Sequence, residues 1–338
     1  ALHMAVNNEL IKDDLYEAVN GGWLKTAKIP DDKPATGGFN DLVNEIDKQL
    51  MDDFDAYATG KEKSDDSRFN EMIKLYRLAK KFDWRKKVGP QPLKRMLASV
   101  ENLNSYEDYQ SQWKNWILAG MPSPISFDID ADMKNATVYA LFASSPSLIL
   151  PDKSYYEAEK KAQHDQLLQL WSSMVEALMD KLGYSKEEAK KIIDDAIKFD
   201  ALLAPNVKSA EEAADYSKMY NPQTVAELAS ATDQLDIAAI IKQLVGEEPE
   251  KVIVTEPEYF KALNKILQDN FELFKNWALI RVIRENASYL DDEMREINGR
   301  YGRALSGSKK PVSQRKFAFY LARDMFSQVA GDYYGKKY

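Results

Sequence analysis

Asn40-Asp-Leu-Val-Asn-Glu-Ile-Asp-Lys-Gln-Leu-Met-Asp-Asp-Phe-Asp-Ala-Tyr57 places Leu42, Val43, Ile46, Leu50, Phe54 and Tyr57 at intervals of three and four residues. Such spacing gathers apolar side chains on one stripe of an α-helix, which turns once every ~3.6 residues. Asn40 is a good N-cap and Gly60 a stop, so one helix is expected between them. The same period recurs in both directions along the chain. A segment opening at Asp66-Ser67 carries Phe69, Ile73, Tyr76, Phe82 and Trp84 before Pro90. Ser105 with Asp108 resembles a capping box ahead of a helix that buries Tyr109, Trp113, Trp116 and Ile117. A further helix runs through Leu167, Leu168, Trp171, Met174, Val175, Leu178 and Leu182 to Gly183. The next opens on the capping box Ser185-Lys-Glu-Glu188 and carries Ile192, Ile193, Ala196, Ile197 and Phe199 to Pro205. Later helices are expected at about 222–230, 233–245, 257–287, 289–304 and 311–336.

One stretch departs from this period. Ile125, Phe127 and Ile129 alternate with polar residues, as do Val138, Ala140 and Phe142 after Asp132-Met-Lys-Asn135. Alternation of this kind predicts a β-hairpin over about 124–142, and Val252-Ile-Val254 a short strand. The fold class is therefore mainly α, multi-helical, with a minor β element.

Composition narrows the chemistry. The chain has 338 residues, 44% of them hydrophobic, no cysteine and only two histidines, His3 and His164. Disulfides, thiolate nucleophiles and cysteine-based zinc sites are excluded. His3 lies in Ala1-Leu-His-Met4, which reads as an expression scar, so one histidine remains for the folded body. A zinc motif of the His-Glu-x-x-His type needs two histidines one helical turn apart, and His164 has no such partner. A net charge of −8 argues against nucleic-acid and anionic-membrane partners. No secretory signal or membrane-length apolar run is seen, which with the absence of cysteine points to the cytoplasm of a bacterium; non-classical surface export is the alternative. Asp128-Ile-Asp130-Ala-Asp132 has the odd spacing of a calcium loop. Met133 and Tyr139 occupy its required Gly and Glu positions, so these acids are expected on the solvent side of a strand.

Specific blocks carry more. Asp13-Asp-Leu-Tyr16 with Asn20-Gly-Gly-Trp23, Ile29-Pro30 and Gly37-Gly-Phe39 open the chain. Phe127-Asp-Ile-Asp130, Leu150-Pro-Asp-Lys-Ser-Tyr-Tyr156, Met219-Tyr-Asn-Pro-Gln-Thr224 with Glu227-Leu228, and the Arg315–Tyr338 helix follow in order. Together, over residues 7–338, they resemble the N-terminal part of the neprilysin family of zinc metallopeptidases, in particular its oligopeptidase branch in lactic-acid bacteria and streptococci.

The resemblance implies a helical lobe that caps an active-site chamber and restricts it to small peptides. Zinc, the His-Glu-x-x-His motif and the substrate-gripping Asn-Ala-Tyr/Phe motif would all belong to a following catalytic lobe. This chain by itself is then inactive, holds no catalytic residue or metal ligand, and has that lobe and oligopeptide substrates as partners. Residues 5–40 would pack on the catalytic lobe, 41–88 form connecting helices, 89–310 the lid lobe, and 311–338 the start of a connecting helix. That last helix runs to Tyr338 without glycine, proline or cap, so the chain is expected to stop short of its C-terminal part. Phe39 matches a phenylalanine lining the pocket for the residue after the scissile bond, or it is a staple under the 40–57 helix; Asn40 adjoins it. Arginines that clamp a peptide's terminal carboxylate in vertebrate relatives correspond to Ala35 and Val43, which implies endopeptidase preference. Glu211-Glu-Ala-Ala-Asp215 mimics the family's distal zinc motif but comes too early, and reads as an acidic helix start after Ser209.

The rival is a free-standing helical binding module. It should bury the apolar faces of 39–57 and 311–338 internally, whereas a severed lobe should leave one of them exposed.

Overall fold

The computed structural model describes residues 38–337, with the side chains of 38–42 and of Ala136 outside that description. The chain divides into two units, one of residues 93–285 and one combining 38–92 with 286–337.

In the second unit, α1 (Gly38–Ala58), α2 (Ser67–Ala79) and α3 (Phe82–Val88) precede α14 (Asp292–Asn298), α15 (Arg300–Ser306), α16 (Gln314–Met325) and α17 (Ser327–Lys337), the intervening α4–α13 being given below. The expected apolar stripe of α1 is real: Leu50 and Phe54 are buried, with Ile46, Met51 and Tyr57 packed beside them. Phe54 sits edge-on to Tyr76 of α2 at 5.5 Å and to Phe319 of α16 at 5.0 Å. Phe69 and Tyr333 bring in α17 at 5.0 Å. Residues 43–58 and 314–337 thus cover each other's apolar faces, and the exposed face foreseen for a severed lobe does not appear there. Helices from the two ends of the described chain close one core between them, as the free-standing alternative requires.

Three expectations need correction here. Asn40 is not the N-cap, because α1 begins at Gly38. Trp84 does not share the buried stripe: the helix breaks at Lys80-Lys81, and the new phase of α3 leaves Trp84 37% exposed. The expected continuous helix 311–336 is two helices meeting at Phe326, whose φ and ψ of −122° and 44° are not helical. Neither glycine nor proline marks that break.

The unit of residues 93–285 runs from α4 (Gln91–Glu101) and α5 (Tyr106–Leu118) through strands β1 (Ser126–Asp132) and β2 (Asn135–Ser144). It continues with α6 (Lys161–Lys181), α7 (Lys186–Leu203), α8 (Ala210–Ala214), α9 (Tyr216–Met219) and β3 (Pro222–Gln223). Then come α10 (Val225–Ala231), α11 (Ile237–Val245), β4 (Val252–Val254), α12 (Pro257–Asp269) and α13 (Phe271–Asn286). Both expected capping residues act: Ser105 accepts from the Asp108 amide, and Ser185 and Glu188 close a full box. Gly183 takes φ +92°, open to glycine at no steric cost, which ends α6 where expected. The expected helix 257–287 is divided at Asn270, whose side-chain amide donates to the Ile266 carbonyl at 3.1 Å and competes with the helical ladder. Tyr109, Phe199, Phe274 and Trp277 meet at centroid distances of 4.8 to 5.9 Å and join α5, α7 and α13 in one core.

The hairpin forms as expected, and β4 adds to it in parallel beside β2, with β3 antiparallel at the far side. Register pairs Phe127 with Ala143 and Ile129 with Leu141. Leu141 and Ala143 therefore share Phe127's face, while Ala140 and Phe142 join Ile253, Tyr216 and Tyr220 on the other. Val138 lies on neither core and is 49% exposed.

Candidate functional site

Phe39 and Asn40 occupy the first turn of α1, and their side chains lie outside the described residues, as does Ala35 altogether. Val43, one turn on, is 39% exposed. The helix that carries these positions is fastened by its own acids. Asp47 accepts from Arg323 at 3.1 Å and from Tyr320 at 3.2 Å. Asp55 accepts from Tyr76 at 2.5 Å, Lys80 at 3.0 Å and Arg315 at 2.8 Å, and Arg315 also reaches Asp52 at 2.7 Å. Burial pushes the Asp55 carboxyl up, but these three donors reverse it and hold it below the usual carboxylate range. Asp53 accepts from the Tyr333 hydroxyl at 2.9 Å and pairs with Lys337 at 3.0 Å. The acids of α1 are distributed around the helix and fasten it to α2, α16 and α17.

The Leu150–Tyr156 block is the second constellation. Asp152 caps the short 3-10 turn Lys153–Tyr156, accepting from Ser154 Oγ at 2.6 Å and from the Ala210 amide at 2.7 Å. Lys153 donates to the Pro205 and Val207 carbonyls at 3.1 and 3.0 Å. Tyr156 donates to Asp200, whose other oxygen accepts the Ile149 amide at 2.9 Å. Asp200 is 1% exposed, and burial pushes its carboxyl up to about 6 despite Tyr156, the Ile149 amide, and the charges of Arg281 and His164. A second buried carboxylate, Glu256, accepts from the Ser145 amide and hydroxyl at 3.1 and 2.6 Å and from the Lys208 amide at 2.8 Å.

The sequence reading named the block but missed both acids that receive it. The signal was present: Ile193, Ala196 and Leu203 run at helical spacing, and Asp200 sits in that stripe. Through these bonds Asp200 and Glu256 fasten the 145–156 segment onto α7 and the start of α12.

A third cluster corrects the expected solvent-facing acids. Asp128 and Asp130 are exposed, but Asp132 is buried beyond a register shift in the hairpin. It pairs with Lys251 at 2.8 Å and accepts from Tyr220 at 3.2 Å and the Lys134 amide at 2.9 Å. The Lys251 bond, then the Lys134 amide, hold its carboxyl below the usual range. Tyr220 belongs to the Met219–Thr224 block, so that block also anchors the hairpin. Within Glu211–Asp215, Glu212 completes a capping box with Ser209, and Asp215 caps α9. His164 is half-buried, with Nδ1 2.9 Å from Asp165 and its ring 5.9 Å from Tyr156. Among the described residues, no group of three or more His, Asp or Glu side chains is placed to hold a metal ion. No described helix is long and apolar enough to cross a membrane.

Two helical units and a small mixed sheet carry these networks, and no described residues form a metal centre. The sequence model of peptidase family M13 matches residues 11–338, and the chain belongs to that family, the neprilysin family of the sequence comparison above. The neutral endopeptidase of Lactococcus lactis subsp. lactis is 36% identical over 330 residues, 97% of this chain and 52% of the relative. The crystal structure of PepO from Lactobacillus rhamnosis superposes with a TM-score of 0.81 at 29% identity, covering 97% of this chain and 52% of that one. Zinc metalloprotease Zmp1 of Mycobacterium tuberculosis, solved with an inhibitor, shares the fold at a TM-score of 0.78 and 23% identity, over 100% of this chain and 51% of that one. The chain thus spans about half the length of the relatives it matches.

Proposed function

We propose that this chain is the non-catalytic helical half of a zinc-dependent oligopeptide endopeptidase, and that it closes the chamber over an active site carried by the other half. The observation that supports this reading is the alignment of 97% of the chain with only 52% of a neutral endopeptidase. The other half would supply the zinc that activates the attacking water and the glutamate that serves as base. Here the work is positional: α1, clamped through Asp47, Asp53 and Asp55, presents Phe39 and Asn40 to the peptide beside the scissile bond. Cytoplasmic peptide turnover is the setting this reading fits, given an acidic chain without cysteine.

The purified 338-residue chain should bind no stoichiometric zinc and cleave no peptide. Metal analysis showing one tightly held zinc, together with chelator-sensitive hydrolysis, would overturn the proposal. With Ala35 and Val43 in place of carboxylate-clamping arginines, the complete enzyme should cleave C-terminally amidated and free-acid forms of one peptide at comparable kcat/KM. A large preference for the free acid would show that another cation fills that role.

A further inference from the structure

Trp84 stands apart among the described tryptophans: Trp113, Trp116, Trp171 and Trp277 are all buried, while its indole is 37% exposed on α3. Phe82 and Arg85 turn inward, so Asp83, Trp84, Lys86 and Lys87 form the outer face of that helix. Lys81 adjoins them at the N-cap and is exposed as well. A second segment of the same unit arrives beside this face. Arg295 of α14 lies 5.7 Å from the Phe82 ring and donates to the Val312 carbonyl at 2.9 Å. That tie brings the exposed Lys309 and Lys310 to the neighbourhood of α3.

Five lysines thus accompany one indole, and among the described residues no acid forms an ion pair with any of them. Nearby acids are few. Asp83 stands in the patch itself, Asp291 caps α14 through the Met294 amide at 2.7 Å, and Asp292 serves Arg295 and Gln314. Arg85, buried beneath this face, donates to the Ala79 carbonyl at 2.5 Å and leaves Nε and Nη1 without a partner, so no carboxylate is bonded to it. The net charge of −8 is a sum over the whole chain, and this surface departs from it.

We propose that this surface docks the chain on an anionic phospholipid bilayer, with Trp84 at headgroup level and Lys81, Lys86, Lys87, Lys309 and Lys310 over the lipid phosphates. The residue types select a bilayer over a nucleic acid. An ammonium on a flexible stem is a point charge, and mobile lipid headgroups can gather beneath each one. Phosphates at fixed spacing reward planar guanidinium forks instead, and the arginines here are engaged by the fold: Arg77 on the Ala58 carbonyl, Arg295 on Asp292 and Arg300 on Glu296. An indole, apolar in body with one polar N–H, suits the boundary between headgroups and acyl chains.

The test is co-sedimentation of the 338-residue chain with vesicles of phosphatidylcholine alone and of phosphatidylcholine with about one-third phosphatidylglycerol. Binding to the anionic vesicles only, reversed by about 0.5 M salt, is expected. Each lysine near an anionic surface strengthens partitioning about fivefold, so Lys81→Gln, Lys86→Gln and Lys87→Gln together should weaken it about 100-fold. Lys186→Gln, Lys190→Gln and Lys198→Gln on α7 change net charge equally and should leave binding within about twofold. Tryptophan emission should shift to the blue on binding, and Trp84→Ala should lose that shift. No binding to the anionic vesicles, equal losses from the two lysine triples, or a blue shift that survives Trp84→Ala overturns the proposal. So does tighter binding of a single-stranded oligonucleotide than of vesicles at the same salt. A complete enzyme that fails to bind where the 338-residue chain succeeds also overturns it, because the patch then faces the other half. Hydrolysis is not read, so failure here leaves the peptidase reading untouched.

Discussion

Replacing Phe54 by alanine is expected to cost about 3–5 kcal/mol of stability in the unit built from residues 38–92 and 286–337. Phe54 is 1% exposed and touches Tyr76 and Phe319 edge-on, so its ring is where α1, α2 and α16 are joined. Two penalties add: the lost transfer of an aromatic ring out of water, and a cavity that three helices held by charged pairs cannot collapse to fill. The ion pairs along α1 cannot compensate, because Arg315 and Asp52 are 40% and 61% exposed and such pairs contribute about 0–1 kcal/mol each. Denaturant unfolding measures the total, and hydrogen exchange of α1 and α16 amides locates it. Val43→Ala, on the same helix at 39% exposure, should change stability by less than about 0.5 kcal/mol. Similar losses for the two variants would mean that the packing of α1 is not what holds this unit.

The second large effect centres on Asp200. Asp200→Ala should cost about 2–4 kcal/mol, since it removes the buried acceptor of the Tyr156 hydroxyl and the Ile149 amide. Asp200→Asn should cost far less at neutral pH, as its carbonyl can still accept the amide and its NH2 can meet a rotated tyrosine hydroxyl. The two isosteres should then diverge with acid. Burial raises the folded-state pKa of Asp200 from 3.8 to about 6, so between those values the folded chain holds a proton that the unfolded chain has released. Stability from this group is therefore fully present below about pH 4 and lost as pH rises through 6, an advantage of about 2–3 kcal/mol at the acidic end. Wild type measured against Asp200→Asn should gain stability over that window as pH falls. A flat difference between pH 4 and 7 would show that Tyr156 and Ile149 offset the burial of the carboxylate completely.

The long helices were legible because their information is local. The apolar rows from Val43 to Tyr57 and from Leu168 to Leu182, and the Ser185–Glu188 box, specify period and start within a turn or two. The hairpin was legible from alternation, yet alternation alone did not say which residues would face which core. Pairing across Phe127 and Ala143 decided that, and a register shift turned Asp132 inward onto Lys251. The breaks at Asn270 and Phe326 were missed because neither glycine nor proline marks them; each arises where the next segment turns to a new packing partner. Phe39 and Asn40 were named only through resemblance to a family, since one aromatic and one amide at a helix start carry no chemistry of their own.

By itself, the sequence determined that this is a helical chain with one small β element, that cysteine chemistry is absent from it, and that its family is that of the neprilysin-like peptidases. Each of these rests on spacing, composition or short contiguous blocks, all of them readable along one dimension. Tertiary structure alone decided that Asp200 and Glu256 receive the 145–156 segment, that helices from the two ends of the chain bury each other, and that Arg85 lies buried with two unpaired donors. These partners stand 44 to 280 residues apart where they bond across the fold. A carboxylate or guanidinium looks the same in a sequence whether it ends in water or in a core, and only the fold settles which solvent it meets.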